Sequence, residues 1–236
     1  MKERPILFSA PMVRALLADT KTQTRRIVKH PHAAEVDVWA DEGNGRWGMG
    51  VQEAGVSARM DAMFCPYGQP GARLWVRETW RLSSCGRHYP TQKTTAYVEW
   101  KDRQSTDRQH QQEWACSDSE SEALLEKQRV GTWRPSIHMP RWASRIDLEV
   151  AGVRVERLQA ISDADAIAEG IERVRGRDVP AAMGGNVQMW RDYLNPDGWQ
   201  ATPAGSYRTL WESINGPGSW AENPWVWVVE FKRVAP

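Results

Sequence analysis

The stretch that most constrains this chain is Ala10 to Lys29, because its periodicity changes once and abruptly. Met12, Val13, Leu16 and Leu17 recur at three- and four-residue spacing, which places them on one face of a short amphipathic helix. Pro11 suits the first turn, where its missing N–H would be unpaired anyway. Asp19 and Thr20 end the pattern. From Thr22 the chain alternates as a strand, with Thr22, Thr24, Arg26 and Val28 on one face and Gln23, Arg25 and Ile27 on the other. Lys21 sits at the junction, so an ammonium, a hydroxyl and a guanidinium converge at one helix-to-strand corner.

Other segments carry strand or helix signatures. Arg73 to Trp80 follows the turn cluster Cys65 to Gly71, with Leu74, Val76 and Glu78 alternating against Trp75, Arg77 and Thr79. Ile146–Val150 and Val153–Leu158 read as two successive strands separated by Ala151-Gly152, and Pro224 to Phe231 as a closing strand. Ser162 and Asp165 form a capping-box pattern for a helix over Ala164 to Glu169 that stops near Gly170. Its apolar face is Ala164, Ile167, Ala168 and Ile171, which points Glu169 away from the core. Ser206 to Asn215 reads as a further helix with Tyr207, Leu210, Trp211 and Ile214 on one face. Residues 84–131 and 173–205 read as insertions, with a short helix over Ser119 to Gln128 and a helical turn or two around Met189 to Leu194.

Residues 30–61 form a loose, Gly-, Asp- and Glu-rich region. Its Gly43-Asn44-Gly45-Arg46-Trp47-Gly48 formally matches a dinucleotide fingerprint. No strand precedes it, no helix pattern follows, and Asp41 and Glu42 stand where a phosphate would approach, so it reads as a turn carrying Trp47.

A net charge of +1 over 236 residues supplies no global field for nucleic acid. Local contact would fall to Lys21, Arg25, Arg26 and Lys29. Fourteen tryptophans against five tyrosines and three phenylalanines supply rings for stacking bases or filling a core, and the core is the commoner use. Three cysteines form no disulfide framework, and Cys85-x-x-His88 lacks the second pair that a metal site needs. With no signal peptide and no bilayer-length apolar run, the expectation is a cytoplasmic protein without a membrane partner. The stretch Trp133 to Arg145 stays open between two readings. Either Arg141 and Trp142 meet a phosphate and a base, or the segment straps tryptophan onto the core while arginine satisfies carboxylates.

The pattern Leu17-Ala18-Asp19-Thr20-Lys21-Thr22-Gln23-Thr24-Arg25-Arg26 resembles the signature of the ASCH domain, a small β-barrel related to the PUA domain. Asp19 stands where that family often has glycine. Within the superfamily the chain is most similar to the amidohydrolases that deacylate N4-acetylcytidine, and its 133–145 stretch resembles a segment of longer ASCH proteins carried by prophages. The resemblance implies a mainly β chain with helices (α+β). It would be one ASCH-like domain over 1–236, a PUA-like β-barrel with flanking short helices and long insertions at 84–131 and 173–205. It also implies Lys21, Thr24 and Glu169 as catalytic residues, Glu169 by alignment on Leu158 and Ile161. Around them Arg26, Glu78, Arg141 and Trp142 are expected to bind substrate and Arg25 and Lys29 nucleic acid, with Glu78 pairing Arg26 or Lys21.

In that chemistry Thr24 attacks an acyl carbonyl, Lys21 takes its proton and Glu169 protonates the leaving amine. It calls for no metal and no cofactor, and the implied partner is a modified nucleoside or RNA. The catalytic side chains, lining a cavity, are expected to add little to stability. A non-catalytic module binding modified bases in RNA, and a phage accessory protein whose insertions bind a host protein, are the competing readings.

Overall fold

The computed structural model describes residues 3–53, 56–88, 93–101, 111–116, 132–174 and 188–234. The chain is mainly β with few helices, an α+β composition. In order come β1 (Arg4–Leu7), α1 (Ala10–Leu17), β2 (Gln23–Ile27), β3 (Val38–Asp41), β4 (Arg46–Glu53), β5 (Val56–Phe64) and β6 (Arg73–Arg77). Then follow β7 (Trp80–His88), β8 (Lys93–Trp100), β9 (Gln111–Cys116), β10 (Asp147–Arg157), α2 (Asp163–Ala168), β11 (Arg173–Val174), β12 (Met189–Arg191), β13 (Trp199–Gln200), α3 (Pro203–Asn215) and β14 (Trp225–Val234). No helix among the described residues is long and apolar enough to cross a membrane.

Two compact units share the chain, each built from separated segments. The first comprises Met1–Arg14, Arg73–Leu148 and Arg233–Pro236. Within it β1 runs parallel to β6, with Ile6 opposite Val76, and the Val76 N–H donates to the Ile146 carbonyl at the approach to β10. A three-stranded antiparallel sheet, β7-β8-β9, occupies much of the expected 84–131 insertion. Trp80, Leu82, Val98, Trp100, Met139 and Ala143 form a buried cluster. The expected helix over Ser119 to Gln128 lies outside the described residues, as do the side chains of Cys85 and His88.

The second unit comprises Ala15–Ala72 and Glu149–Lys232. In it β14 pairs antiparallel with β2, setting Val229 opposite Thr24. The region expected to be loose is instead the sheet β3-β4-β5, whose β3–β4 turn has left-handed backbone at Gly43, Asn44 and Gly45. Tryptophan accounts for that sheet: Trp39 and Trp47 pack edge-on against Trp227, which is 1 % exposed. The rings therefore serve the core. Around Met189 the chain forms strand β12, not a helical turn, and pairs with β11 and β13.

No pairing among the described residues closes the strands expected of a barrel into one. Strand β10 is continuous where two strands were expected. At Gly152 an added Cβ would come within 2.9 Å of the Glu230 carboxylate, so glycine there admits a neighbouring side chain rather than a turn.

Candidate functional site

The corner after α1 is tightened by a single carbonyl. Ala15 O accepts from the N–H groups of Thr20 (2.9 Å) and Lys21 (3.1 Å) and from the Thr20 hydroxyl. Asp19 turns the chain with φ of 54°, the conformation that suits the glycine of the family pattern. Lys21 then faces the C-terminal end of α2. Ser162 caps the other end of that helix, its hydroxyl accepting from the Asp165 N–H at 3.1 Å, as the capping-box pattern requires.

The last carbonyls of a helix have no partner within it. Here the 21–23 segment supplies donors. Thr22 N–H donates to Ala168 O (2.8 Å), Gln23 Nε2 to Asp165 O (3.0 Å) and Lys21 Nζ to Glu169 O (2.7 Å). Gly170 closes the helix with φ of +81°. A Cβ at that position would lie 2.7 Å from Ala15 Cβ and 2.9 Å from Lys21 Cβ, so glycine permits the close approach.

The Glu169 carboxylate is held on both oxygens. Lys21 Nζ lies 2.9 Å from Oε2 and Arg25 Nη1 3.3 Å from Oε1. Lys21 and Glu169 have side-chain exposures of 1 % and 4 %, and Arg25 has 0 %. Arg25 Nη2 also reaches Glu156 (3.1 Å) and Asp165 (3.2 Å). Arg154 extends the network to Glu156, Asp165 and Glu230. Arg25 and Arg154 thus each meet three carboxylates, and Lys21 meets that of Glu169, the pairing that buried charge demands.

Burial pushes the Lys21 ammonium below its usual pKa, against the opposing pull of Glu169, and the Arg26 and Arg25 charges lower it further. Arg26, half-buried, also acts on Tyr67 and Tyr207. Tyr207, from α3, is buried at 3 % exposure. Burial first, and then the charge of Glu169, raise its phenol well above the ordinary value. Its ring centroid lies 5.9 Å from Arg25 Cζ.

Lys21 and Glu169, far apart in sequence, are brought into contact. Thr24 is buried in β2 at 4 % exposure, and among the described residues its hydroxyl makes no hydrogen bond, to Lys21 or to any other group. The face expected for α2 is rotated. Ile167 is 44 % exposed, whereas Ala166 (0 %) and Glu169 (3 %) point inward. Hydropathy misassigned that face because its buried side carries a charge matched by Lys21 and Arg25.

Arg25, expected on a nucleic-acid surface, is enclosed by three carboxylates and cannot present its guanidinium to a phosphate; Lys29 is exposed. The buried lysine also corrects the expectation that these side chains add little to stability. Glu78 takes a bidentate pair from Arg145 (3.1 and 2.8 Å) in the first unit, a partner the sequence did not suggest. Arg141 is engaged by Glu3 and Asp147, and Trp142 packs edge-on against Trp80, so the 133–145 stretch is a strap within the first unit. Tyr207, Glu156 and Asp165 are the participants that sequence reasoning missed. Tyr207 stood on a recognised apolar face, but nothing in its spacing tied that face to Glu169.

No family model, curated protein or solved structure matches this chain. Among the described residues no group of three or more His, Cys, Asp or Glu side chains is placed to hold a metal ion.

Proposed function

We propose that the second unit carries a metal-independent amidohydrolase site that deacylates N4-acetylcytidine or a related modified nucleoside, in an ASCH-like, PUA-related fold. The observation that carries this reading is the buried Lys21–Glu169 contact of 2.9 Å, three residues in sequence from Thr24, whose hydroxyl makes no hydrogen bond among the described residues. A buried lysine with a depressed pKa beside a specific partner marks functional sites more than ordinary surfaces.

The chemistry balances without another reagent. Burial lowers the Lys21 pKa, which favours its neutral amine as the base beside the Glu169 carboxylate. Thr24 Oγ1 attacks the acyl carbon and its proton passes to Lys21 Nζ. Collapse of the tetrahedral intermediate breaks the C–N4 bond as Glu169 relays that proton from Lys21 to N4, releasing cytidine and leaving an acyl ester on Thr24. Water then attacks the ester and gives a proton to the Glu169 carboxylate. That proton passes through Lys21 Nζ to the Thr24 oxygen as it is expelled, which releases the carboxylic acid and restores the starting amine and carboxylate.

The competing reading, a non-catalytic nucleic-acid module, is weakened by the enclosure of Arg25. Incubation with N4-acetylcytidine tests the choice: release of cytidine and acetate supports the enzyme, and its absence across several N4-acyl cytidines sinks it.

A further inference from the structure

We infer that Tyr207 is a further catalytic residue of this site, its hydroxyl donating a hydrogen bond to the acyl oxygen as that oxygen becomes an oxyanion. The inference rests on the amidohydrolase reading above and adds a component which that reading leaves unfilled. Thr24, Lys21 and Glu169 account for attack and proton transfer. None of them stabilises the negative charge that develops on the carbonyl oxygen, which is commonly the largest single contribution to catalysis.

Three observations single out Tyr207. The first is position. The residue is 3 % exposed, and its ring lies 5.9 Å from the Arg25 guanidinium that holds Glu169 at 3.3 Å.

The second is an unspent donor. The ring is accounted for by packing against Trp211 (6.3 Å) and Trp220 (6.2 Å), as any core aromatic would be. The hydroxyl is not: among the described residues it makes no hydrogen bond, and its oxygen is not fully buried, so its donor stays open to an approaching group. The lysine and arginine beside it are already committed to Glu169.

The third is protonation. Burial, reinforced by Glu169, keeps the proton on the phenol, so Tyr207 remains a neutral donor. A donor of that kind stabilises an oxyanion and does not act as base or nucleophile.

The test is Tyr207→Phe, which keeps the ring and deletes only the oxygen. Steady-state turnover of N4-acetylcytidine and thermal melting are measured on the full chain beside wild type. Loss of one oxyanion donor lowers kcat by about 10²-fold, with KM nearly unchanged and the melting temperature unaltered. Three results would overturn the inference: an unchanged kcat; a rise in KM alone, which marks ground-state binding; or a lowered melting temperature, which marks a structural hydroxyl. A wild-type protein without activity removes the amidohydrolase reading itself, and the role of Tyr207 goes with it. A wild type that turns over equally with Tyr207→Phe leaves that reading standing and removes only Tyr207.

Discussion

Lys21 donates from one ammonium to both the carboxylate (2.9 Å) and the backbone carbonyl (2.7 Å) of Glu169, 148 residues away in sequence. The contact couples two local devices. A carbonyl-tightened corner after α1 aims the lysine, and a capped helix ending at Gly170 presents the carboxylate and the orphan carbonyl beside it. The same ammonium therefore closes a helix end and neutralises a buried carboxylate.

Breaking the pair on one side should cost stability. In Lys21→Met, Glu169 keeps its contact with Arg25 among the described residues, and loss of one partner of a buried pair costs about 3–5 kcal/mol. Urea unfolding of Lys21→Met, Glu169→Gln and the double variant should show a double loss well below the sum of the two single losses. A double loss equal to that sum would mean the two side chains are not coupled.

Gly170→Ala should destabilise strongly and disturb the site together. The left-handed backbone costs a side chain about 1–2 kcal/mol, and the new methyl would meet Cβ atoms of Ala15 and Lys21 that are fixed to backbone. A melting temperature close to wild type would contradict this geometry.

The acid limb of stability should depend on Asp165. Burial opposes its ionisation, but Ser162, Arg25, Arg154 and Gln23 outweigh it and hold the carboxyl below the usual range. Its stabilisation is present above the unfolded-state pKa and is lost as pH falls through the lower folded-state value. Asp165→Asn should flatten the decline in urea midpoint between neutral pH and about pH 3, where unfolded carboxylates titrate. An unchanged acid slope would remove Asp165 from the linkage.

Lys21 shifts in the opposite sense for its charge. Its folded pKa lies below the unfolded one, so between the two values the folded chain binds fewer protons and stability rises with pH. That rise should vanish in Lys21→Met. Persistence of the same alkaline slope in the variant would assign it elsewhere.

Much of this was legible where local chemistry decides. The α1 face, the Ser162 cap, the Gly170 stop, and strands β2, β6 and β14 follow from periodicity and turn residues. The sheet β3-β4-β5 was hidden because Gly48 and Gly50, beside the Gly43–Gly45 turn, disguised the alternation of Trp47, Met49 and Val51 in β4, and because edge-on tryptophan contacts hold it. Strand β10 looked broken at Gly152 because accommodation of Glu230 resembles a turn in sequence. The burial of Glu169 and Arg25 was invisible for a deeper reason. Each is a surface residue by hydropathy, and only their mutual neutralisation, across segments remote in sequence, permits them inside.

The most direct measurement is turnover of N4-acetylcytidine by wild type, Thr24→Ser and Thr24→Val. Valine keeps the β-branched shape of threonine and removes the nucleophile, whereas serine keeps the hydroxyl. The expected result is release of cytidine and acetate by wild type, partial activity in Thr24→Ser and none in Thr24→Val, with the valine variant folded. Equal turnover by Thr24→Val and wild type, or none by wild type on any N4-acyl cytidine, would contradict the account.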